Sequence, residues 1–309
     1  MPSKRDKTGR DILALQRLSR EIRGAISELF DAPQPERIVL APGILNALQI
    51  LFASMDVRRV MLSAEEYYGA AHFPAQRVAQ VKVEEIAAGI NEFRPDVLIL
   101  SVVSWKGDAL PVSRIFSEIR KGRGLQCRPL LVADYSHAGA LGFPSAKNLG
   151  ADVLCGDLAK WVMPPPDCGK LAFLWFKSRR LFVTAKTAFK PFFLATDTPG
   201  TPFAARWVDP SEIRRVHDWF KRERLSRSKL LAKDCANKEL ALRLASLFGI
   251  SGSVESNILW LGRGRMNHKH VRGLERAGLV WKTPDGKIRI VCRADAGVSI
   301  PAAVQITSQ

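Results

Sequence analysis

Two residues in the stretch 129–176 have the types and spacing to do chemistry together. Asp134 closes a short apolar run at 130–133, and Lys160 stands just past a second run at 153–155, flanked by Leu158, Ala159, Trp161, Val162 and Met163. A third apolar run covers 171–176. Each run is short enough for a buried strand, and open α/β sheets gather ligands outside the carboxyl ends of their strands. An acid leaving one strand end and a lysine in apolar surroundings after the next can meet at that edge. Desolvation lowers a lysine's pKa and keeps part of it neutral and nucleophilic. His137, three residues past Asp134, adds a third polar group. Each residue alone has a plainer reading, as a solvated lysine of a basic chain or an aspartate capping a helix. Their order and flanks make the chemical reading the stronger one.

The elements that would position these groups follow from periodicity. Residues 11–30 place Ile12, Leu15, Leu18, Ile22, Ile26 and Leu29 on one face of a helix, with Asp11 as its N-cap. A strand at 37–41 runs through Pro42-Gly43 into an amphipathic helix, and such a helix start offers free backbone N–H groups to an anion. Strands follow at 59–63 and 96–103, and a helix at 111–121 leads back to the Asp134 strand. This strand–helix alternation with short connections predicts an α/β fold with a mostly parallel sheet. After about residue 205 the pattern changes to a basic helix at 211–231, helices at 236–248 and 268–278, and strands at 257–262 and 287–292. The expected division is a large domain, 1–205, and a small C-terminal α+β domain, 206–309.

In its order, the segment resembles the class V aminotransferases, PLP enzymes of fold type I that include the cysteine desulfurases and kynureninase. The likeness lies in Asp134-x-x-His137-x-Gly139, the Gly150-Ala151-Asp152 lead-in, and Lys160-Trp161 before a Pro/Gly-rich loop. The resemblance implies pyridoxal 5'-phosphate as cofactor, with Lys160 as its Schiff-base lysine and the mover of the Cα proton. It further implies Asp134 on the pyridine nitrogen and His137 on the ring hydroxyl. Tyr67 would stack on the ring, although a half-buried core tyrosine is an equal reading. Ser104, with Gly107, Leu110 and Pro111, matches the family's Ser-x-x-Gly turn and Leu-Pro pair. Phosphate would meet the amides of Gly43, Ile44, Leu45 and Asn46, together with Lys170 and Thr201. Thr201 sits in a Gly-Thr-Pro turn through which, in the family, the neighbouring subunit touches the phosphate; this implies a homodimer with shared active sites. Arg289, with Arg293 second, would grip the carboxylate of an amino-acid substrate, against the alternative of a surface arginine.

Three departures stand out. The hydroxyls of the family's phosphate loop are replaced by Ile44 and Leu45. Asp157 and Ala159 occupy the family's Ser and His positions before the lysine, and no cysteine matches the desulfurases' catalytic loop. The default activity implied is transamination. Elimination by a carbon–sulfur lyase or epimerisation would use the same residues, and a catalytically degenerate scaffold binding an acidic partner is the alternative.

Composition narrows the setting. Of 309 residues, 47% are hydrophobic and 25% charged, as in ordinary globular proteins, and no run of apolar residues is long enough for a membrane span. The five cysteines form no CxxC pair, and the N-terminus lacks an apolar signal region, so a reducing cytoplasmic setting is expected. A net charge of +17 raises nucleic acid as a partner. The densest basic stretch, 214–233, nevertheless carries Ile213, Val216, Trp219 and Phe220 at its start in helical spacing. It reads as a packed helix with a solvated basic face rather than a nucleic-acid surface.

Overall fold

The computed structural model describes residues 4–66, 68–122, 124–137, 145–158, 171–189, 208–224, 226–247, 258–261, 280–282 and 288–292. The helices are α1 (Lys4–Phe30), α2 (Ile44–Ser54), α3 (Ile86–Phe93), α4 (Val112–Lys121), α5 (Arg179–Phe189), α6 (Pro210–Glu223) and α7 (Arg227–Leu247). The strands are β1 (Ile38–Ala41), β2 (Arg59–Ser63), β3 (Arg77–Val81), β4 (Val97–Ser101), β5 (Leu130–Asp134), β6 (Val153–Asp157), β7 (Ala172–Phe176), β8 (Ile258–Leu261), β9 (Val280–Lys282) and β10 (Ile288–Val291).

Seven strands form one sheet in the order β1-β7-β6-β5-β4-β2-β3. The pairs from β6 to β3 are parallel, whereas β7 runs antiparallel to both β6 and β1. Two reversals restore direction, so β1 ends at the same edge as β2, β4, β5 and β6. Strands β1, β4 and β7 are buried throughout, as expected of a sheet covered on both faces. Alternation then sorts the side chains into two layers. Leu98 and Leu100 of β4 join Leu131 and Ala133 of β5 in the layer under α1, α4 and α6, with Ile26, Phe116 and Val216. Val97, Ile99 and Val132 point the other way, into the layer under α2 with Leu48, Leu51 and Phe52. Gly156 of β6 is required by close approach. A Cβ there would lie 2.6 Å from Cε1 of Phe173, its register partner, so any side chain would displace that ring.

Several helix boundaries differ from the periodicity reading. α1 starts at Lys4, so Asp11 lies inside it rather than capping it; residues 4–7 are Lys, Arg and Asp with no proline to stop the turn. The basic segment breaks at Arg224, which adopts the left-handed conformation (φ 43°), and not near residue 231. Asp209 caps α6 by accepting from the Ser211 amide at 2.8 Å, and Ser226 Oγ accepts from the Lys229 amide at 3.3 Å to start α7. The amphipathic reading of α6 holds: Ile213, Val216 and Trp219 are buried while Arg214, Arg215, Lys221 and Arg222 face solvent. Burying each such apolar side chain contributes roughly 1.5–3 kcal/mol, which fastens α6 to α1. His217 Nε2 on Glu21 Oε2, at 2.7 Å, ties the same two helices. β3, α3 and α5 add elements that the apolar pattern did not signal. β8, β10 and β9 form a second, antiparallel sheet of three strands, and the expected helix at 268–278 lies outside the described residues.

Candidate active site

Asp134 is the last residue of β5, the middle strand of seven, and is 3% exposed. By alternation its side chain falls on the α2 side of the sheet, the side that Val132 faces. Its carboxylate is held by donors from two elements. The Tyr68 hydroxyl donates to Oδ2 at 2.5 Å, and the Ser136 amide donates to Oδ1 at 2.7 Å. Burial first, and then the Asp134 charge, hold the Tyr68 phenol well above its ordinary pKa, so it stays a donor. Among the described residues no cationic side chain pairs with Asp134. A buried carboxylate of this kind is costly unless a cation or further donors reach it.

A second acid lies beside it. Ser101 is the cross-strand partner of Asp134, and its amide and hydroxyl are clasped by the Glu66 carboxyl group, with Ser101 Oγ 2.5 Å from Glu66 Oε2. Burial pushes the Glu66 carboxyl up to about 8, against the pull of the two Ser101 hydrogen bonds, and the Asp134 charge adds to the rise. Glu66 therefore carries a proton at neutral pH. Burial thus favours the protonated form of Glu66 in the same cluster that holds the Asp134 carboxyl group. Ser136, 1% exposed, contributes a hydroxyl with no partner among the described residues.

The other end of the site is made of backbone. β1 ends at Ala41, in register with Ala172 of β7, which is itself in register with Asp157 at the end of β6. The chain turns through Pro42 into α2, whose N-cap, Gly43, provides no side-chain hydrogen bond. Among the described residues the first-turn amides of Ile44, Leu45 and Asn46 meet no acceptor, as at any uncapped helix start. Ile44 is buried, Leu45 half-buried and Asn46 exposed. α2 packs over β1, β7 and β6 on the same face as Asp134, so both ends of the site share one edge and one face of the sheet.

Of the residues expected from sequence, the structure brings Asp134, Gly43, Ile44, Leu45 and Asn46 to that edge. His137, half-buried, follows in the turn after β5. Ser104 has another role: its Oγ accepts from the Lys106 and Asp108 amides at 3.2 and 3.1 Å and contacts Asp108 Oδ2 at 3.2 Å. With Gly107 at φ 103°, this builds a tight turn, and the hydroxyl is committed to it rather than offered to a ligand. Arg289 lies in β10, between Trp260 and Trp281 in register, in the smaller sheet and not in the row of strand ends that carries Asp134. Tyr67, Lys160, Lys170, Thr201 and Arg293 fall outside the described residues. Sequence reasoning missed Glu66, Ser101 and Tyr68. The signal for the first and last was the run Glu65-Glu66-Tyr67-Tyr68, which does not reveal which members point inward; Ser101 emerges only from strand register.

No family model matches the chain, and no curated protein matches it in sequence. Solved structures do. A cysteine desulfurase of Escherichia coli is similar over 99% of this chain and 87% of its own, at 14% identity and a TM-score of 0.67. A mutant of C-DES with glycine covalently linked to its PLP cofactor matches over 96% and 86%, at 16% identity and 0.68. A putative aminotransferase of Burkholderia pseudomallei matches over 100% and 95%, at 16% identity and 0.63. The chain has the α/β fold of these fold type I enzymes, the architecture shared by cysteine desulfurases and class V-like aminotransferases.

Proposed function

We propose that the chain is a PLP-dependent enzyme acting on an amino acid, with transamination as its reaction. The observation that carries this reading is Asp134: a carboxylate at the end of the central strand, buried, held by two neutral donors and lacking a cation among the described residues. A protonated pyridine nitrogen is the partner such a group lacks. The uncapped start of α2, on the same edge and face, fits a phosphate received by the amides of Gly43, Ile44, Leu45 and Asn46.

The bound cofactor supplies an electron sink for negative charge developing at the substrate Cα. Asp134 keeps the ring nitrogen protonated, and Glu66, neutral beside it, adds no competing charge. His137 donates to the ring hydroxyl and Tyr67 stacks on the ring. Lys160, which follows the end of β6 by three residues, holds the cofactor covalently and moves the Cα proton. Lys170 offsets Asp157 near the phosphate, and Arg289 orients the substrate carboxylate. The chain pairs as a homodimer in which Thr201 reaches the neighbouring site, and it divides into domains 1–205 and 206–309. Elimination or epimerisation would draw on the same groups; the described residues favour none of the three, and transamination needs nothing further. Lys160→Ala should abolish amino-group transfer to a keto acid while leaving the circular dichroism spectrum unchanged; retained turnover would overturn the assignment.

A second reading rests on the apolar side chains Ile44 and Leu45 at the helix start and on the net charge of +17. It takes the chain as a degenerate scaffold that binds an acidic partner. Retention on DNA that falls steeply with salt, in a protein that takes up no PLP, would favour it.

A further inference from the structure

We propose that Tyr68 is a positioning residue for the cofactor, its phenol locking the Asp134 carboxylate in the orientation that meets the ring nitrogen. This rests on the PLP reading above. Two donors from different elements fix the carboxylate plane, the Tyr68 hydroxyl on Oδ2 and the Ser136 amide on Oδ1. An ionised carboxylate offers about four acceptor sites, so with two taken it still has room for one ring N–H, now in a defined direction. Hydrogen bonds to a charged acceptor are roughly twice as strong as neutral ones, so the phenol is not an incidental neighbour.

Tyr68 is itself immobilised. It is 7% exposed, lies edge-on to the rings of His72 and Phe73 at 6.0 and 6.2 Å, and its carbonyl accepts from Gln80 Nε2 at 2.9 Å. Two residues earlier in the chain, Glu66 clasps Ser101, the residue across the strand from Asp134. The segment after β2 is thereby pinned at two points, to the end of β4 and the end of β5. Of the titratable groups nearby, Glu66 shares the cluster with Asp134 and Tyr68, Cys155 is the register partner of Asp134 on β6, and His137 follows in the turn after β5.

The test uses the full chain with Tyr68→Phe, Asp134→Asn and the double variant. PLP affinity is measured by equilibrium dialysis, the visible absorption of bound PLP is followed across pH, and urea unfolding is recorded without PLP. Tyr68→Phe keeps the ring and removes one oxygen. It should weaken PLP binding about tenfold or more and displace the pH at which the visible band changes. The double variant should bind no more weakly than Asp134→Asn alone, because the two residues act as a unit. Wild-type affinity with an unmoved band, or losses that add in the double variant, would overturn the proposal. If Tyr68→Phe does not fold, fluorotyrosine at position 68 changes the phenol's acidity without changing its shape, and an unmoved band would again overturn it. If the wild-type chain takes up no PLP, the functional reading fails and the positioning role falls with it. In that event, coupling between positions 68 and 134 in urea unfolding would leave the hydrogen bond standing as a structural contact only.

Discussion

The two ends of the site are built from different materials. The Asp134 end is a wired cluster of side chains, Tyr68, Glu66, Ser101 and Ser136 all buried, brought together by three separate segments of chain. The α2 end offers backbone alone, its first turn carrying Ile44 and Leu45 in place of hydroxyls. Side-chain clusters in a low-dielectric site fix direction and charge strongly, whereas amides at a helix start give an anion a modest and undirected welcome, typically 0.3–1 kcal/mol and up to about 2 kcal/mol. Specificity should therefore concentrate at the Asp134 end, with the α2 end tolerant of change.

Asp134→Asn should give the largest effect. Breaking a buried charge pair costs about 3–5 kcal/mol, so turnover with PLP should fall at least about 100-fold while the apo protein remains folded; a loss under tenfold would remove the asymmetry. At the other end, with Lys170 and Thr201 both replaced by alanine, the α2 amides alone should make PLP preferred to pyridoxal by no more than about 30-fold, the equivalent of about 2 kcal/mol, as read from competitive dialysis. A far larger preference would mean that side chains also grip the phosphate. Gly43→Ala sharpens the contrast further. A Cβ there meets nothing within 4 Å and the backbone is extended, so apo stability should stay within about 0.5 kcal/mol in urea unfolding.

Glu66→Gln separates the two acids by pH. The Glu66 carboxyl titrates near 4.5 when unfolded and near 8 when folded. Between those values the folded chain holds a proton that the unfolded chain has lost, so this group makes stability fall as pH rises from about 4.5 to about 8. The carboxamide removes that fall. The variant should gain on the wild type across this window, and parallel urea curves from pH 5 to 8 would contradict the assignment. The smallest effect lies away from the site. The His217 hydrogen bond, followed by that of Arg17, draws the Glu21 carboxyl down to about 2, so its contribution is present above 4.5 and lost as pH falls towards 2. The Glu21 side chain is 37% exposed and so partly screened by solvent, and Glu21→Gln should cost under about 1 kcal/mol at pH 7, with the difference fading in acid unfolding.

Much of the fold was legible because its strands are continuous apolar runs. β1, β2, β4, β5, β6 and β7 each coincide with one, and Asp134 is conspicuous as the acid that ends such a run. β3 was not legible because Arg77–Val81 is an edge strand with polar and half-exposed positions, so no apolar run marks it. The break at Arg224 hides for a different reason: an arginine in the left-handed region leaves no glycine or proline behind as a signal. Within the site, residues contributed by their own strand end could be read, but partners supplied across strands could not. Ser101 faces Asp134 through register, and Tyr68 reaches it over 66 residues of sequence. Ser104 shows the converse, a motif position whose hydroxyl the local turn consumes.

The central claim, that this edge of the sheet holds PLP through Lys160, is tested most directly by one measurement on the wild-type protein. The chain is incubated with PLP, its visible absorbance recorded, and the complex reduced with borohydride and mapped by peptide mass. The account predicts a yellow protein whose reduced pyridoxyl group sits on Lys160. A colourless protein, or a label spread over surface lysines with Lys160 unmodified, would contradict it.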